Sequence, residues 1–221
     1  RPLPLSFNKH PTPNPYWEIT RKNTTIEDVN SDTAELYLND TSWIVVSDGG
    51  HHHSATFAFR INTSSGFLIA SGQGVVPGSL AALHSFRAEA YGLLQAISGV
   101  SLTYNHLQTL CNNDNPIPVI HYYSNNEALI KRMKKWITYP TFYPSLALSN
   151  DFDLTFGTIH LLRQLNIRIQ LSHVKEHQDN NKNFEDVPSP HKKTAVATGK
   201  PLPFSLLLLI AIDPHLPFLE Y

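Results

Sequence analysis

Two acids whose surroundings and order could support chemistry stand in this sequence. Asp48 closes an apolar run, WIVVSDGG (43–50), and Glu89 lies within FRAEAYGLLQAI (86–97), which has helical spacing. A second apolar run, IPVIHYY (117–123), leads into SNNEALI, and a third, IRIQLSHV (167–174), leads into KEHQD. Two acids, a polar cluster at a strand end and a late histidine, in that order, point to metal-dependent hydrolysis of nucleic acid. Such chemistry brings carboxylates to two cations roughly 4 Å apart, which activate water and stabilise the leaving oxygen. Mg2+ takes hard oxygen donors and keeps several of its waters. At the third place, where this site calls for an aspartate, the chain has Asn125.

The elements that must position these groups follow from the apolar pattern. WIVVSD is read as a buried strand with Asp48 at its end, and ATFAFRI (55–61) alternates, with Phe57, Phe59 and Ile61 on one face. FLIASG follows a turn at Gly66, so three strands form an antiparallel meander. Helix 86–97 comes next, then strand 117–123, a helix over 126–137 ending near Thr138, a break at PTFYPS, an amphipathic stretch 151–166, and strand 167–174. The order β-β-β-α-β-α-α-β predicts an α/β fold with a mixed sheet flanked by helices.

The 221 residues suffice for one ordinary domain with flanking segments. Apolar content of 41% and charged content of 16% suit a packed core and argue against wholesale disorder. A net charge of −1 means that any nucleic-acid role depends on local basic patches. The single cysteine, Cys111, excludes an internal disulfide and fits a reducing, intracellular setting, cytoplasmic or nuclear. The longest apolar stretch, FSLLLLIAI (204–212), falls short of the ~20 residues that span a bilayer. No membrane partner is expected, and this stretch is read as a buried strand or short helix. Residues 1–16 carry five prolines and read as an extended linker, and beyond Asp186 the periodic pattern dissolves. The expected organisation is a connecting segment over 1–41, one domain over 42–186 and a divergent tail over 187–221.

VSDGG, FRAEAYG, YYSNNEALI and SHVKEHQD, in this order and these contexts, resemble the type 1 ribonuclease H domain attached to retroelement reverse transcriptases. Residues 43–186 carry the resemblance, and Tyr16 to Asp40 are similar to the segment connecting polymerase and ribonuclease H parts. The resemblance implies a ribonuclease H-like five-stranded mixed sheet, Mg2+-dependent cleavage of the RNA strand of RNA–DNA hybrids at a two-metal site, and a neighbouring polymerase domain as partner. It matches Asp48 to the first metal-binding aspartate, Glu89 to the helix glutamate, and His177 to the histidine that assists proton transfer or product release. Asn125 stands where the second aspartate is expected. The last metal-binding aspartate has no counterpart; PHKKTAVATG (190–199) occupies its approximate place without an acid. Impaired hydrolysis follows as an expectation. The rival is a catalytically inactive domain that binds nucleic acid or supports its neighbour.

Each residue also has a plainer reading. Asp48 before Gly-Gly suits a turn, and Glu89 suits a solvated helix face. His51, His52 and His53 are adjacent, so alternate rings diverge on a strand, and an exposed hairpin loop is preferred over a metal site. His121 and His160 lie in apolar runs and read as core or edge residues; His173 reads as either. Lys131, Lys134 and Lys135 share one helical side, and form either a solvated face or a phosphate-tracking patch with Trp136 beside it. Lys175 is a candidate phosphate contact or a surface lysine.

Overall fold

The computed structural model describes residues 20–51, 54–79, 82–111 and 116–174. Its elements are β1 (Thr24–Ile26), α1 (Ser31–Leu38), β2 (Ser42–His51), β3 (Ala55–Thr63), β4 (Leu68–Val75), α2 (Ser85–Cys111), β5 (Val119–Ser124), α3 (Glu127–Ile137), a 3-10 turn (Pro144–Leu148), α4 (Phe152–Gln164) and β6 (Ile169–His173). The described strands form one sheet in the order β1-β4-β3-β2-β5-β6. β1, β4, β3 and β2 run antiparallel to their neighbours, whereas β2–β5 and β5–β6 are parallel. From β2 onward the element order is the expected one, and the fold is α/β, a mixed sheet flanked by helices. The difference is a sixth strand. Thr24–Ile26 pairs with Ala70–Gly72, so the sheet begins inside the segment that the sequence pattern assigned to a connection. A three-residue edge strand is too short to leave a period-2 signature.

Helix α2 is the second difference, because it runs on past Ile97 to Cys111. Its buried face continues through Val100 and Leu107, and the Ser98 hydroxyl donates to Leu94 O. Gly99, two residues past the expected end of the helix, lies where the helix crosses Phe59: a Cβ there would come within 2.7 Å of that ring. Helix α2 packs across β2 and β3, with α1 and α4 against it, while α3 packs on β6 and α4. The buried apolar cluster joins Trp43, Val45, Phe57, Phe59 and Ile61 of the meander to Leu93, Leu94 and Ile97 of α2 and to Ile120 and Tyr122 of β5.

Helix α3 starts where local chemistry says it should. The Asn126 side chain accepts from Leu129 N at 2.9 Å, which satisfies a first-turn amide. Lys134 and Lys135 fall in its last turn, a favourable end for cations. Helix α4 starts differently: Asp151 precedes it in the left-handed region (φ 55°) and its side chain does not cap the helix.

Candidate nucleic-acid site

The site forms where α2 crosses the far half of β2. Asp48 does not end the strand, as the apolar run suggested, but lies within it, paired with Ala58 of β3, and the strand runs on to His51. Gly49 makes the crossing possible. A Cβ on it would lie 2.3 Å from Ala88 C and from Glu89 N, so the strand backbone and the first turns of the helix are in direct contact. Gly92 does the same from the helix side, with its missing Cβ 3.2 Å from Asp48 O. Glu89 is thereby carried to Asp48's strand and is only 6% exposed. The two glycines bring the carboxylate-bearing backbones as close as main chains can approach.

Beneath them lies Tyr122 of β5, fully buried. Its hydroxyl shares a 2.6 Å hydrogen bond with Ser47 Oγ. Burial raises the Tyr122 phenol far above its usual value, and the charges of Glu89 and then Asp48 raise it further; Ser47 and Ser124 oppose the shift. The parallel β2–β5 register ends at Val46 opposite Tyr123, and Asp48 and Asn125 each lie two residues beyond it. Asn125 is half-buried at that end, and its main-chain oxygen is 3.1 Å from His173 Nε2. His173 lies opposite Ser124 in the β5–β6 ladder, so three strand ends converge here.

Sequence reasoning missed the brace that holds the start of α2. Arg87 bonds Asp151 at 3.0 Å and Asp153 at 2.8 Å, tying α2 to the beginning of α4 two residues before Glu89. Asp151 is buried, its side chain 3% exposed, and His84 Nε2 lies 3.3 Å from its second oxygen. The Asp153 hydrogen bond holds the Arg87 guanidinium firmly protonated, and the same bond lowers the Asp153 carboxyl below its usual range. The signal was the pair of acids flanking Phe152, which only the fold brings to Arg87. Tyr122 and Ser47 had no signal beyond the alternation of their strands.

The lysines of α3 all lie on its exposed face. Lys131 pairs with Glu127 at 2.9 Å, whereas Lys134 and Lys135 project from the last turn. Trp136 is not beside them. It is 5% exposed and packs inward against Phe142 and Phe152. The turn reading of Asp48 gives way to a strand, and His51 is an exposed strand residue. His160 is exposed rather than part of the core. His177, Lys175, His52, His53, the proline-rich 1–16 segment, the 187–221 tail and its FSLLLLIAI stretch lie outside the described residues. No described helix is long and apolar enough to cross a membrane.

Among the described residues, Asp48 and Glu89 would offer a cation two negative charges and Asn125 a neutral carbonyl. Among the described residues no group of three or more His, Cys, Asp or Glu could hold a metal ion. Two carboxylates suit one divalent cation; they do not suit two, whose four positive charges would be half compensated.

No protein-family model and no curated protein matches this sequence. Solved structures do resemble it. The structure of LC11-RNase H1 in complex with RNA/DNA hybrid is 16% identical over 62% of this chain and 87% of its own, with a TM-score of 0.43. RNase H1 from the halophilic archaeon Halobacterium salinarum NRC-1 is 14% identical over 61% and 86%, also with a TM-score of 0.43. The foamy viral protease-reverse transcriptase in complex with RNA/DNA hybrid is 10% identical over 80% of this chain and 21% of its own, with a TM-score of 0.40.

Proposed function

We propose that this chain is the ribonuclease H-like part of a retroelement reverse transcriptase, that it engages RNA–DNA hybrids, and that its hydrolysis of the RNA strand is impaired. The observation that carries the reading is the placement of Asp48 and Glu89 on backbones in direct contact, at the strand end where Asn125 stands. The carboxylate pair supports the enzyme; Asn125 supports the second reading, a domain that binds nucleic acid without cleaving it. In the proposal Lys131, Lys134, Lys135 and Lys175 meet phosphates, and His177 serves turnover.

Hybrid cleavage with Mg2+ and with Mn2+ tests this, on the parent chain, Asn125→Asp and Asp48→Asn. Weak cleavage in the parent, enhanced by Asn125→Asp and abolished by Asp48→Asn, is the expected result. Robust cleavage by the parent refutes the impairment. Absence of hybrid binding in all three refutes the substrate class.

A further inference from the structure

We propose that the aromatic and cationic face built by α3, the 138–151 connection and α4 binds single-stranded nucleic acid, separately from the Asp48–Glu89 site. Three observations converge there. The first is ring geometry. Phe152, Phe156 and His160 recur every four residues on α4, which stacks them along one side of the helix. Phe152 and Phe156 are 5.3 Å apart at 23°, and Phe156 and His160 are 6.0 Å apart at 12°. Near-parallel rings form a continuous ladder that opens to solvent toward its far end: Phe152 is half-buried, Phe156 is 37% exposed, and the terminal ring, His160, is exposed. Phe142 meets Phe156 edge-on at 4.8 Å, and Tyr143, 55% exposed, stands next in the chain, beside Tyr139.

The second observation is charge. From Glu127 of α3 to Gln164 of α4 there are five basic side chains, Lys131, Arg132, Lys134, Lys135 and Arg163, and three acidic ones; Arg87 holds Asp151 and Asp153, and Lys131 pairs with Glu127. This face is therefore cationic in a chain whose net charge is −1. Arg163 lies over the Phe142 ring at 5.3 Å and donates to Tyr139 O, while Lys134 and Lys135 are exposed on α3. The third is the inward turn of Trp136. It supports Phe142 and Phe152 from beneath, so the exposed rings stand on a packed base.

Rings flanked by cations, with no uncompensated acid among them, match the two chemistries of an unpaired strand. Bases stack on exposed aromatic faces, and phosphates follow the basic side chains. A duplex hides its base faces, so the ladder favours a single strand over a hybrid. A protein partner or a second copy of this chain would use the rings but not the cations.

Fluorescence anisotropy with a labelled oligothymidylate of about twenty nucleotides tests the proposal, because that strand cannot pair with itself. The expected result is salt-sensitive binding by the parent chain. Tyr143→Ala and Phe156→Ala should each weaken it about fivefold or more, while Tyr143→Phe keeps it. Lys134→Gln combined with Lys135→Gln should flatten the salt dependence. Asp48→Asn should leave binding unchanged, which separates this surface from the Asp48–Glu89 carboxylate pair whatever the cleavage assay shows. The proposal is overturned if the parent does not bind in low salt, or if Tyr143→Ala binds as tightly as the parent. Loss of binding in Asp48→Asn also overturns it, as does self-association of the parent that the ring variants abolish.

Discussion

Replacing Gly49 by alanine tests the contact on which the whole site depends. The added methyl would lie 2.3 Å from Ala88 C and Glu89 N and 2.6 Å from Ala88 O. Carbon atoms pack comfortably at about 3.5–4.0 Å, so helix and strand must part by about 1 Å. Every crowded atom is main chain, and no rotamer change relieves it. Overpacking costs about 1–3 kcal/mol, and a backbone-on-backbone clash belongs at the upper end, about 3 kcal/mol. For a folded region of this size that lowers Tm by about 6–12 °C. Gly50→Ala is the internal control, since its Cβ would meet only Thr56 Oγ1, at an ordinary 3.5 Å. Thermal and urea unfolding of both variants, followed by circular dichroism, supplies the measurement. If Gly49→Ala melts within about 2 °C of Gly50→Ala, α2 does not rest on β2 as described, and the juxtaposition of Asp48 and Glu89 falls with it.

Two further substitutions probe the supports of the site. Arg87→Met leaves Asp151 buried without its guanidinium and should destabilise by about 3–5 kcal/mol, read as a lowered urea midpoint at neutral pH. The Asp153 carboxyl is depressed by its bond to Arg87, so that pair's stability is complete above the unfolded carboxyl value, about 3.9, and is lost as pH falls through the lower folded value. The parent's urea midpoint should accordingly drop more steeply than that of Arg87→Met as the solution is acidified below that value; parallel curves would contradict the brace. Tyr122→Phe removes the 2.6 Å bond to Ser47 from the fully buried site and should cost about 1–3 kcal/mol. An unchanged midpoint would show that Ser47 finds another partner.

How much of this was legible in the sequence depended on the range of the interaction. The three-strand meander and the α3 boundaries were readable because alternation and the Asn126 cap act within a few residues. The extent of α2 was not, because beyond Ile97 the buried positions Val100 and Leu107 are separated by mostly polar residues, and the close approach of Gly99 to Phe59 is a long-range contact. Strand β1 was hidden because its three residues derive their order from β4, far along the chain. Asp48 and Glu89 are candidates by type and order, whereas the backbone contact between their elements could not be read from the sequence. Gly49 against Ala88, Tyr122 against Ser47, and Arg87 against Asp151 and Asp153 are all long-range contacts. Trp136 shows the opposite error: its neighbours in sequence are the exposed lysines, while its neighbours in space are Phe142 and Phe152.

The placement of Asp48 and Glu89 rests on glycine contacts, a neutral tyrosine–serine bond and a remote arginine brace, none of which involves the Asn125 side chain. Asn126, not Asn125, caps α3, and His173 meets the main-chain oxygen of Asn125. Both contacts survive exchange of Asn125 for aspartate. That variant therefore changes charge at the site while keeping the Asn126 cap and the His173 contact. A third carboxylate beside Asp48 and Glu89 adds like-charge repulsion, on the order of 1 kcal/mol for partly solvated groups. Asn125→Asp should melt below the parent in chelator and rise further than the parent as Mg2+ is added, because a cation that binds the folded state alone stabilises it by mass action. Thermal shifts across a Mg2+ titration read this without any cleavage assay. Equal shifts in the two proteins would mean that position 125 does not face the carboxylate pair, and the attribution of impaired hydrolysis to Asn125 would then fail even if Asp48 and Glu89 stand where they are described.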